Sequence, residues 1–146
     1  MRSMTIPARV SLVTLGVRDV AASTAFYQSL GWRLSPASVA GEVSFFDTAG
    51  GLLALYGRQD LAHDARVEPT GEGFRSVALA INLESPDDVD AAFAVVAAAG
   101  GAVIKAPERS EWGGYSGYFA DPDGHLWEMA HNPGWPIGAD GCPQLP

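Results

Sequence analysis

Residues 112–128, WGGYSGYFADPDGHLWE, place DPDG between two short extended runs, 115–120 and 125–131. Asp121-Pro122-Asp123-Gly124 suits a hairpin turn, with Pro at i+1 of a type I turn and Gly next in line for positive φ. On an extended 125–131, Leu126, Glu128 and Ala130 share one face, and Trp127 and Met129 share the other. The Trp127/Met129 face suits packing under helices. Glu128 then lies on the opposite face, as a lone acid in an apolar run. It could hold a metal, move a proton or finish a strand.

Upstream of the hairpin, RSVALAINL (75–83) reads as a strand. Ser85-Pro86-Asp87-Asp88 starts a helix, with Ser at the cap, Pro at N1 and an acid at N3. Val89, Ala92, Phe93 and Val96 form its buried stripe, Gly100-Gly101 ends it, and a strand follows near 102–106. The same order occurs earlier. VSLVTLGV (10–17) is a strand, Asp19 caps a helix from Val20 to Leu30, and Gly31 supplies its left-handed exit. Extended pieces are expected at 32–39, 43–47 and 51–57, then a polar loop over about 58–73. FFDTAGGLLALY (45–56) and YFADPDGHLWEM (118–129) are the clearest echo between the halves. The expectation is an α+β domain of two βαβββ modules, about 8–67 and 74–132. Residues 133–146 form an irregular tail.

Composition narrows the function. A 47% hydrophobic fraction over 146 residues supports a packed core. Seventeen acidic against nine basic residues give net charge −8, which repels phosphate backbones and argues against a nucleic-acid partner. No apolar run reaches the ~18 residues of a membrane span. MRSMTIPARV lacks the apolar region of a signal peptide, so cytoplasmic residence is expected. The single Cys142 excludes an internal disulfide.

With this organisation the sequence resembles the vicinal oxygen chelate superfamily, which includes glyoxalase I, extradiol dioxygenases and fosfomycin- and bleomycin-resistance proteins. TLGVRDVAASTAFYQSLGW (14–32) and YFADPDGHLWEMAHNP (118–133) carry the resemblance, which covers roughly residues 8–132. It implies that the two βαβββ modules form curved mixed sheets around a cavity, in which metal-using members chelate one divalent ion through four side chains. Those positions fall on Leu12, Ala54, Ser76 and Glu128. Only Glu128 ligates well, whereas such an ion wants three or four converging donors. No metal and no other cofactor are therefore expected.

His125 and His131 stand three residues either side of Glu128, but odd separations on a strand point to opposite faces. Structural roles are expected for both, and for His63 in the polar loop. DPDG brings its Gly too early for a calcium loop. GEGFRS (71–76) lacks the third glycine of a dinucleotide fingerprint.

Strand parity turns Leu12, Thr14 and Gly16, and Ser76, Ala78 and Ala80, inward. Such small residues leave room for a pocket. Trp112, Phe46, Tyr56 and one of Tyr115 and Tyr118 are its expected aromatic wall, with Thr14 and Ser76 completing the lining. The leading expectation is a metal-independent protein that binds an apolar or aromatic small molecule. The alternative is a metal-free lyase or isomerase with Glu128 as acid or base. Divalent-metal glyoxalase or dioxygenase chemistry ranks third. Burial without a cation would raise the Glu128 pKa, unless Arg75, Arg9 or backbone amides hold the group ionised. A homodimer is expected from the need to cover sheet edges.

Overall fold

A computed structural model describes residues 5–146. The fold is α+β, with three helices and two open mixed sheets. The first sheet contains β1 (Leu12–Val17), β2 (Val43–Thr48) and β3 (Gly51–Gly57) in the order β1-β3-β2. The second contains β4 (Ala78–Asn82), β5 (Ala102–Arg109), β6 (Tyr115–Ala120) and β7 (Leu126–His131) in the order β4-β7-β6-β5. In each sheet the first strand of the module runs parallel to the last, and the remaining pairs are antiparallel. The repeat read in the sequence is thus a repeat of pairing.

The helix caps form as their residues dictate. The Asp19 side chain accepts from the amide of Ala22 at the head of α1 (Val20–Ser29). Ser85 accepts from the Asp88 amide at the head of α3 (Pro86–Ala98). Both helices send their apolar stripes into one core, which contains Phe26 and Tyr27 from α1 and Val89, Phe93 and Val96 from α3. Trp127, Met129 and Phe119 enter it from the second sheet, and Leu15, Val17, Phe46, Leu53 and Leu55 from the first. The odd-numbered positions of β7 therefore lie under the helices, and Glu128 faces the other way.

Three local expectations need correction. Residues 32–39 make isolated bridges, Leu34 to Phe46 and Val39 to Val43, and no continuous strand. Pro36 has no amide to donate, and Ser35 and Ser38 bond to the backbone of Phe45 locally. The expected polar loop begins with a helix, α2 (Arg58–Ala65), which turns at Arg66 in the left-handed conformation. Only Ala62 of that helix is buried, so it shows no apolar stripe to read. It lies against Gly16, where a built Cβ would come within 3.3 Å of both the Arg58 Cα and the Leu61 side chain. The missing side chain at Gly16 makes this approach possible. Finally, β4 starts at Ala78, because Ser76 adopts φ 60 and cannot continue an extended ladder.

β5 extends further than expected and is the bulged outer strand of its sheet, with register shifts on both sides of Lys105 and Pro107 within it. Among the described residues, no helix is long and apolar enough to cross a membrane.

Candidate functional site

The open face of the second sheet is built around Glu128. In register it stands between Ala80 of β4 and Tyr118 of β6, and Lys105 of β5 pairs with Tyr118. Small residues, Ala78 and Ala80, line the β4 side and are exposed. Glu128 and Tyr118 are half-buried. The Tyr118 phenol titrates above its ordinary value, mainly through partial burial and then through the charge of Glu128 and hydrogen bonding to it, while Lys105 opposes the shift. Glu128 is therefore not the enclosed acid expected, and neither expected cation holds it. Arg75 is engaged with the Asp123 carbonyl and His125, and Arg9 lies exposed on the segment before β1.

At the hairpin end of this face lies a cavity of about 700 Å³, walled by Ile104, Ala120 and Leu126. Gly16, Arg18, Arg58, Phe74 and Arg75 also line it, with the carboxylates of Glu72 and Asp123, so both modules contribute to it. A second cavity of about 590 Å³ lies between the facing edge strands β1 and β4. Val13, Leu53, Leu79, Ile81, Trp32 and Trp127 line its apolar part. The tail segment Gly141–Pro143 borders it, and the Cys142 thiol donates to the Ala49 carbonyl at 3.2 Å.

A buried clasp holds the hairpin end in place. The Tyr27 hydroxyl donates to Asp121 Oδ2 at 2.7 Å and accepts from Trp127 Nε1 at 3.1 Å. Burial first, then the charge of Asp121 and the bond to it, hold the Tyr27 phenol far above its usual range. Asp121 Oδ1 accepts from the amides of Asp123 and His125. His125 Nε2 bonds the Gly16 carbonyl at 2.9 Å, which ties β1 to the start of β7. His131 Nδ1 bonds the Leu83 carbonyl, and His63 sits in the last turn of α2. All three histidines thus occupy positions away from the Glu128 face or engage the backbone.

The expected pocket residues scatter. Tyr118 lies on the open face. Tyr115 lies on the helix side and donates to Asp90 of α3 at 2.6 Å. Phe46 is fully buried against Tyr27 and Trp32, so it is core and not cavity wall. Its neighbour Phe45, in register with Ala54, occupies the other face. Trp112 is 65% exposed at the turn before β6, with its ring over Gly114. Thr14 and Tyr56 are half-buried on the same face of the first sheet, paired with Ala54 and Gly16. Ser76 is exposed in the loop before β4. That Arg18, Arg58 and Arg75 meet was not legible in the sequence, because they come from three separated segments with no common motif.

A family model described as the Glyoxalase/Bleomycin resistance protein/Dioxygenase superfamily matches residues 9–129. The chain belongs to this superfamily. Among solved structures, a glyoxalase-related enzyme from Fulvimarina pelagi is 38% identical, with TM-score 0.85, covering 95% of this chain and 99% of that one. A glyoxalase/bleomycin resistance protein/dioxygenase from Nocardioides is 29% identical, with TM-score 0.72 and coverage of 88% and 85%. Lactoylglutathione lyase from Agrobacterium tumefaciens, at 23% identity and TM-score 0.67, shares the fold over 87% of this chain and 96% of its own. No curated protein matches the sequence significantly.

The residues of this glyoxalase-superfamily chain do not fit a chelated divalent ion at the inherited positions. Leu12 and Ala54 offer no donor atom, and Ser76 stands outside β4 in a left-handed turn. Among the described residues, no three His, Cys, Asp or Glu side chains gather as a metal site. Glu128 alone falls short of the ligand number such an ion requires.

Proposed function

We propose that the chain is a small-molecule-binding domain that takes its ligand on the open face beside Glu128 without holding it through a metal. One observation carries this reading. Three of the four inherited chelating positions lack a usable ligand, while a cavity of about 700 Å³, large enough for a small organic molecule, lies at the hairpin end of this face and reaches Leu126, two residues before Glu128 on the same strand. The cavity combines apolar walls with a few polar groups, the composition that holds and orients a ligand. Calorimetric titration of small amphiphilic aromatics, before and after exhaustive chelation and elemental analysis, tests it. Saturable binding unchanged by chelation is expected. Binding that appears only with one equivalent of zinc, nickel, iron or manganese would overturn it.

A second reading is favoured by the pairing of Glu128 with Tyr118 on one open face. The carboxylate could take a proton from a bound ligand and the phenol could donate one, giving a metal-free lyase or isomerase. Turnover that disappears in Glu128→Gln while binding persists would separate catalysis from binding alone.

A further inference from the structure

We propose that the cavity at the hairpin end binds the acidic group of an amphiphilic anion, a carboxylate or phosphate attached to an apolar body. This rests on the reading of the open face as a ligand site and names the ligand class it accepts. The chain has nine basic residues against seventeen acidic ones, yet three of the nine, Arg18, Arg58 and Arg75, line this one cavity. Its carboxylates are Asp123 and Glu72, and Asp123 is ion-paired with Arg18 at 3.4 Å. The lining therefore reverses the sign of the molecule as a whole.

Arg58 and Arg75 differ from Arg18. Among the described residues, neither forms an ion pair with a carboxylate. Arg58 Nη2 donates to the Gly71 carbonyl at 2.6 Å, and Arg75 Nη2 donates to the Asp123 carbonyl at 3.2 Å with His125 Nδ1 at 3.4 Å. Each contact positions a guanidinium through one nitrogen and leaves its charge without a counter-ion. A guanidinium has five donors arranged to grip a carboxylate or phosphate through two parallel hydrogen bonds. The surrounding wall, Phe74, Ile104, Ala120 and Leu126, is apolar, and Phe74 is 75% exposed at the rim. Two held guanidiniums above an apolar wall match a molecule with an acidic head and a hydrophobic body.

The test compares two fluorescent probes, the anion 1-anilinonaphthalene-8-sulfonate and the neutral N-phenyl-1-naphthylamine, on the full chain. The wild type is expected to bind the anion more tightly, with an affinity that falls as salt is raised. The double variant Arg58→Gln/Arg75→Gln is expected to bind the anion about tenfold more weakly or worse and the neutral probe as before. Equal affinity of variant and wild type for the anion overturns the proposal. Glu72→Gln gives an independent reading if the double variant does not fold. It removes a carboxylate from the cavity and is expected to tighten anion binding, and no change would count against the proposal. Binding of the neutral probe alone rejects the anion site and leaves the binding function standing. Binding of neither probe rejects both.

Discussion

Tyr27 and Asp121 lie 94 residues apart in sequence and are joined by a 2.7 Å hydrogen bond in a buried setting. The phenol belongs to the first helix of the first module, and the carboxylate to the turn that closes the second. Trp127 completes the arrangement by donating to the same phenol. The hairpin that carries Glu128 is therefore held by a residue of the other module.

Tyr27→Phe keeps the ring and deletes the hydroxyl. Asp121 Oδ2 and Trp127 Nε1 then lose their partner in the core, and a buried polar group left unsatisfied costs about 1–3 kcal/mol. Urea unfolding is expected to show a loss in this range with an unchanged slope.

Alkaline stability should report the same clasp. The raised Tyr27 pKa means that the folded state holds the phenolic proton more tightly than the unfolded chain does. That stabilisation is intact below the unfolded phenol's pKa of about 10 and is lost as pH rises through the folded value. Absorbance at 295 nm is expected to show one tyrosine that ionises only as the protein unfolds. In Tyr27→Phe this step should be absent.

Glu128→Gln removes the negative charge beside Tyr118. That charge and its hydrogen bonding contribute to the upward shift of the phenol after partial burial. The Tyr118 transition is expected to move to lower pH in the variant without returning fully to its ordinary value. Spectrophotometric titration in a Tyr115→Phe background, which removes the other shifted phenol near the surface, measures it.

Gly117→Ala should be costly although the residue is small. A Cβ there would come within 2.5 Å of the Lys105 carbonyl and 2.9 Å of Phe93 Cζ. Both are fixed by the β5 bulge and the core, so overpacking of about 1–3 kcal/mol is expected, read as a lowered melting temperature.

We propose a homodimer as the assembly. The open sheets leave edge strands that a second copy would cover. Light scattering at micromolar concentration should give twice the 15.3 kDa chain mass.

The parts legible in the sequence were those set by local chemistry. Asp19 and Ser85 cap helices because their side chains reach amides three residues on. The alternation along β7 separates Trp127 and Met129 from Glu128 in any extended chain. Long-range register was not legible. In VSFFD the neighbouring Phe45 and Phe46 take opposite faces, and only pairing with Ala54 and Leu53 decides which enters the core. The α2 helix was hidden because it rests on a glycine of another strand and buries a single alanine. Arg18, Arg58 and Arg75 meet through tertiary placement alone.

Of the four edge strands, β1 and β4 face each other across the cavity of about 590 Å³, and the other two are blunted. β5 is bulged twice and carries Pro107, while β2 is flanked by the 34–39 segment through two isolated bridges. A neighbouring chain that tried to add a strand at either place would meet a broken ladder or an occupied one. Open-ended growth into fibrils is thereby obstructed at both ends, and crowding in a cell at high expression should favour discrete, countable assemblies over polymer.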